Sequence, residues 1–303
     1  MIKCLVLGGG LYHGLKTLGI IDELIKQNII NKENIQDVVC SSVGCLVGFC
    51  YLLDIPYKDC VEFFIKRPWQ KIFTDLPIMN IILSKGVFNI TIFQKSLVNL
   101  FTANSMSIDI TYKEFFERTN KPFNCSVYNT KTQELEYFNH ETTPDLKVIE
   151  GMYASCSVPI IFEPLLYKDT FYTDALLLTA YPIAYALKKY DENEILGVKI
   201  SGVKEHNFIV KESDNIILFL VKLFYGYKNK YQQSNPETHK LLIDGCKPIL
   251  LSELYDCLHS EDFRKKCYEN GVEMGKKFIE NYKEQEYKTE TYKDISTNLL
   301  NDS

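Results

Sequence analysis

The 303-residue sequence has no CxxC pair, no Gly-Lys-Ser/Thr triplet and no basic excess, its 34 Lys and Arg standing against 39 Asp and Glu. Each absence excludes something. Ten cysteines scattered without paired spacing or a His-rich partner segment do not make a disulfide framework in so long a chain, and they predict reduced thiols in a cytoplasmic protein. A net charge of −5 gives no electrostatic footprint for nucleic acid. The apolar run Cys4–Leu7 stops at Gly8, too short for a signal-peptide core, so export is not expected. Ile216 to Tyr227, the most apolar later stretch, is broken by Lys222 and falls short of the roughly 20 residues of a membrane span, which leaves only peripheral membrane contact. No linker rich in Gly, Pro or Ser and no internal period divides the chain.

What is present is ordinary globular material, 46% hydrophobic and 24% charged. Ile2–Leu7 predicts a buried strand that runs into Gly8-Gly9-Gly10. Leu15, Leu18, Ile21, Leu24 and Ile25 recur at helical spacing between Gly14 and Gln27. Ile35–Cys40 predicts a second strand, followed by the corner Ser41-Ser42-Val43-Gly44 and a helix of small and apolar residues. Two βα units therefore open the chain. Tyr57–Phe101 is helical but irregular, and its apolar part around Ile78–Leu83 suits a lid. Phe123–Tyr128 and Glu134–Phe138 form a hairpin, so strand pairing is mixed. Helices are expected over Asp145–Ser155, Pro182–Lys189, Asp214–Tyr227 and Asp262–Tyr282, with strands at Ile195–Ile200 and, at a sheet edge, Leu241–Ile243. The expected fold is one α/β domain over residues 1–283, with helical additions in 201–283 and a polar, frayed tail from 284 to 303.

Three pieces can carry chemistry. Ser42 stands between a β-branched strand and a helix, with Gly44 two positions on, which is the setting of a nucleophile elbow; a turn or N-cap serine is the alternative. Gly8-Gly9-Gly10 can turn backbone amides toward a developing oxyanion, and without Gly-Lys-Ser/Thr or a suitably placed acidic residue it fits neither a Walker loop nor a dinucleotide fingerprint. Asp174 ends the short strand Phe171–Asp174; taken alone it is a cap or turn residue. A Ser-Asp-His triad is not suggested, because His206, His239 and His259, the histidines downstream of Asp174, have no motif around them.

With these pieces in this order, the chain resembles the patatin-like phospholipase family. The match runs over Gly8-Gly9-Gly10, Ser42 with Gly44, the segment Ala154-Ser155-Cys156-Ser157-Val158-Pro159, and Tyr172-Thr173-Asp174-Ala175. The resemblance implies a mostly parallel, mixed central sheet flanked by helices in three α/β/α layers. It also implies a serine acyl hydrolase acting on fatty acyl esters of lipids or phospholipids, of phospholipase A or lysophospholipase type. Ser42 would attack the ester, Asp174 would take and return its proton, and amides of Gly8, Gly9 and Gly10 would hold the oxyanion, with no cofactor and no metal. An ordinary aspartate, with pKa ~3.9, is a weak base for this task, so the site must be partly dry.

Four departures from the family pattern stand out: Cys40 at the elbow glycine, His13 at a basic position, Ala175-Leu176 after the aspartate, and Thr179-Ala180 where asparagine is common. They leave nucleophile, base and glycine loop in place. A silent relative that binds lipid or a protein partner is the alternative function. An apolar approach to lipid is expected from Trp69, Phe73, Ile78 and Ile81 with Ile216–Phe224, ordinary core packing being the competing reading.

Overall fold

The computed structural model describes residues 1–73, 84–201, 241–247 and 251–301, with positions 210, 212, 219, 222 and 223. The expected lid around Ile78–Leu83 and most of Asp214–Tyr227 lie outside the described residues, as do His206 and His239.

In chain order the elements are β1 (Cys4–Leu7), α1 (Gly14–Lys26), β2 (Asp37–Ser41), α2 (Val43–Leu52), α3 (Tyr57–Lys66), β3 (Gly86–Phe88), α4 (Ile90–Ala103) and α5 (Tyr112–Thr119). These are followed by β4 (Phe123–Asn129), β5 (Glu134–Phe138), α6 (Val148–Cys156), β6 (Ile160–Phe162), β7 (Leu165–Tyr167) and β8 (Thr170–Asp174). Last come α7 (Ile183–Ala186), β9 (Ile195–Ser201), β10 (Leu242–Lys247), α8 (Leu251–His259) and α9 (Glu261–Asn301). The fold is mixed α/β, a central and mostly parallel sheet flanked by helices. Helix α7 is shorter than Pro182–Lys189, and the backbone of α9 stays helical past Tyr282 to Asn301. Strands β3 and β6 pair as a separate ribbon.

The main sheet connects as β10-β9-β1-β2-β4-β8-β7, and β5 also pairs with β4. The registers resolve what happens around β4. Residues Cys125 and Ser126 pair with both β2 and β5, while Val127, Tyr128 and Asn129 pair with both β5 and β8. A strand has two edges, so β2 and β8 occupy the same edge of β4, one beyond the other. Strand β2 is parallel to β4 and β8 antiparallel, so their C-terminal ends meet head to head.

Side-chain alternation along the strands sorts the core into two faces. Leu5, Leu7, Val38, Cys40, Leu196 and Val198 join the larger cluster with the helices α1, α2 and α6. Cys4, Val6, Val39 and Ile195 face the other way, onto Tyr181, Ile183 and Ala186. Helix α1 is covered in turn by α9 at a close crossing. A Cβ on Gly19 would lie 2.1 Å from the Tyr268 carbonyl oxygen and one on Gly271 would lie 2.0 Å from that of Lys16, so only glycine permits the approach. Buried Arg264 of α9 donates to the carbonyls of Ile65 (2.6 Å), Arg67 (3.1 Å) and Cys257 (2.8 Å), setting its charge at the C-terminal ends of α3 and α8.

At the N-terminal ends of the parallel strands lies a closed polar network. Asp37, which opens β2, accepts from Asn124 Nδ2 at 2.5 Å and pairs with Lys189 at 3.6 Å. Asn124 Oδ1 accepts from Asn139 Nδ2 (2.9 Å) and from the Tyr185 hydroxyl (3.0 Å). Burial pushes the Asp37 carboxyl up to about 6, against the lowering influence of Lys189 and Asn124.

Candidate active site

The opposite end of the sheet gathers the residues singled out in the sequence. Ser42 follows β2 and precedes α2 with φ 52° and ψ −130°, a left-handed conformation that costs a non-glycine residue about 1–3 kcal/mol. The corner is sharp because α2 begins directly against β1: a Cβ on Gly44 would lie 2.3 Å from the Leu7 carbonyl oxygen and 2.8 Å from that of Gly8. Cys40 stands where the family pattern has glycine, and its thiol points to the α2 side of the sheet. There Gly48 makes room, since a Cβ on Gly48 would meet Cys40 Sγ at 2.5 Å. The departure at Cys40 is thus matched by a glycine in the second turn of the following helix.

The glycine loop touches the serine directly. A Cβ on Gly9 would be 2.9 Å from Ser42 Cβ and 3.7 Å from its Oγ. Two of the three loop amides are engaged in the fold: Gly8 donates to the Val198 carbonyl at 2.9 Å and Gly9 to that of Ala180 at 2.8 Å. Among the described residues, the amides of Gly10 and of Val43, the first residue of α2, have no protein acceptor. Leu11 follows with φ 48°, a second left-handed residue at this corner.

Asp174 ends β8. Its register partner is Val127, next to Ser126, which is the partner of Ser41. The head-to-head strands therefore bring Asp174 and the Ser41-Ser42 corner to adjacent positions on β4, about one strand residue (~3.3 Å) apart along it. Asp174 is fully buried, and its Oδ1 accepts from the Leu176 amide at 2.8 Å, so it also caps the turn that follows. Ala175, the residue in the place of glycine, is buried and stands in a helical turn where a Cβ is tolerated. His13 is buried with Nδ1 3.1 Å from Lys16 Nζ, so the cation at this position is carried one helical turn further on. The remaining described histidine downstream, His259, is exposed and lies beside the Tyr255 carbonyl.

Sequence reasoning missed Ser155 and Lys16. Ser155 was visible as part of the Ala154–Pro159 block, but nothing in its neighbours announced a bond to Ser42, 113 positions away. Lys16 is a charge on a helical face otherwise given to the core, three residues after His13.

A family profile described as Patatin-like phospholipase matches residues 5–187, which contain Gly8 to Gly10, Ser42 and Asp174. The "Probable lipid hydrolase 463L" of Invertebrate iridescent virus 6 is 29% identical over 242 residues, 76% of this chain and 73% of that protein. Triacylglycerol lipase 4 of Saccharomyces cerevisiae is 28% identical over 178 residues, 54% of this chain but 19% of the far longer yeast protein. Among solved structures, VipD from Legionella pneumophila shares the fold, with a TM-score of 0.56 at 15% identity over 92% of this chain and 67% of that one.

Proposed function

The chain belongs to the patatin-like phospholipase family, and from that premise we propose that it is a lipid acyl hydrolase working through Ser42 and Asp174. The observation that carries the reading is the elbow: a serine held at positive φ at the end of a central strand, against a glycine loop, with a buried carboxylate arriving on the adjacent strand position. Ser42 Oγ attacks the ester carbonyl and its proton passes to Asp174. The tetrahedral oxyanion is received by the amides of Gly10 and Val43, the latter at the positive end of α2, rather than by Gly8 and Gly9. Asp174 then protonates the departing alkoxide, leaving an acyl ester on Ser42. In the second half, water adds to that ester, Asp174 takes its proton, and the fatty acid leaves as Ser42 recovers its hydroxyl. The substrate class is a fatty acyl ester of a phospholipid or lysophospholipid, met at a membrane surface by peripheral contact; among the described residues no helix is long and apolar enough to cross a membrane.

The test is treatment of the purified chain with a fluorophosphonate, mapping of the adduct, and measurement of fatty acid release from phosphatidylcholine vesicles. An adduct on Ser42 is expected, and Ser42→Ala and Asp174→Asn should each lower turnover at least ~10³-fold while staying folded. Vesicle binding with no release and no adduct would instead identify a silent, lipid-binding relative.

A further inference from the structure

The Ala154–Pro159 block has no task in the chemistry just described, yet its hydrogen bonds reach both reacting residues. The Ser155 hydroxyl is fully buried at the end of α6. It accepts from the Ser42 amide at 2.9 Å and from the Cys45 thiol at 3.2 Å, and it donates to the Ser126 carbonyl at 2.7 Å. A hydroxyl has one proton and two lone pairs, so its capacity is complete and its orientation fixed. Two residues later the Ser157 carbonyl accepts from the Asp174 amide at 3.1 Å and from the Thr173 hydroxyl. The Ser157 hydroxyl closes the turn by donating to the Ala154 carbonyl at 2.7 Å.

Ser42 needs such a partner. Its amide lies beyond the last paired residue of β2 and before the first turn of α2, so neither ladder nor helix satisfies it. A non-glycine residue at φ 52° keeps that conformation only where its surroundings fix it. One short turn thus grips the backbone of the serine at one end and the backbone of the aspartate at the other.

We propose that the Ser155–Ser157 turn is the spacer that sets the separation of Ser42 and Asp174, with the Ser155 hydroxyl as a positioning group for the nucleophile. The proposal rests on Ser42 and Asp174 being the reacting pair. The one proton and both lone pairs of the Ser155 hydroxyl are taken up by protein groups, which leaves it no bond for substrate, so its loss acts on the chemical step and leaves substrate affinity alone. A reacting group displaced by about 1 Å loses about 100-fold in rate.

The experiment uses the full chain. It measures kcat and KM on a soluble p-nitrophenyl ester, the rate of Ser42 labelling by a fluorophosphonate, and thermal unfolding, for wild type, Ser155→Ala and Ser155→Cys. In Ser155→Ala, kcat and labelling rate should both fall about 100-fold with KM within about twofold, and Ser155→Cys, near in shape but a weak acceptor, should fall between. A folded Ser155→Ala with kcat within about threefold of wild type, or with its loss confined to KM, overturns the proposal. If Ser155→Ala does not fold, Ser155→Cys decides by the same criterion. Failure of the underlying reading looks different, because wild type itself then gives no Ser42 adduct, and that result overturns both.

Discussion

The two ends of the central sheet are built from similar materials and do opposite things with them. At the N-terminal end of β2, Asp37, Asn124, Asn139, Tyr185 and Lys189 satisfy one another, and the result is a lock between the sheet and the segment after α7. At the C-terminal end, Ser42 and Leu11 sit at positive φ, and the Gly10 and Val43 amides are left without protein acceptors among the described residues. Saturated polar groups stabilise; strained and unsatisfied ones stand ready for a ligand that completes them. Strand β2 joins the two, opening at Asp37 and ending next to Ser42.

Three substitutions would break or sharpen this contrast. The largest effect belongs to Gly44→Ala, because the new methyl would meet two backbone oxygens that cannot move aside. It should cost about 3 kcal/mol or more in urea unfolding and abolish Ser42 labelling; a wild-type midpoint would refute the tight elbow. Next is Asp37→Asn. The folded carboxyl titrates at about 6, above its unfolded value of ~3.9, so its stabilising contribution is complete below pH ~4 and disappears as pH rises through 6. Wild type should therefore lose about 1.4 kcal/mol relative to Asp37→Asn between pH 5 and pH 8, with ester turnover unchanged, and parallel stability curves would show that Asp37 does not titrate there. The smallest effect is expected for Cys40→Gly, which restores the family residue but faces Gly48 with nothing. About 1 kcal/mol of stability should be lost with turnover within about threefold, whereas a large gain in turnover would mean that Cys40 restrains the elbow.

Much of this was legible beforehand because it is local. A β-branched run before glycines, a serine at a strand-to-helix corner and a hairpin from Phe123 to Phe138 are each signalled within a few residues. The Thr111–Glu114 capping box that starts α5 is a local signal of the same kind. What escaped is long-range. That β8 meets β2 end to end follows from which edge of β4 each strand takes, and no periodicity encodes an edge. That Gly8 and Gly9 donate to Val198 and Ala180 depends on segments laid down about 190 and 170 residues later, which no local pattern announces. Nothing around Asp37 in the sequence points to Lys189, and their pairing needs the third dimension.

The head-to-head junction on β4 has a consequence for how this site can vary. Because Ser41 and Asp174 answer to consecutive residues of one strand, their spacing is counted in whole residues. Lengthening β8 by one position would move the carboxylate a full step of about 3.3 Å and turn it to the opposite face of the sheet. Spacing here is digital: drift by small insertions gives no intermediate geometries, and the two residues are either in step or out of reach.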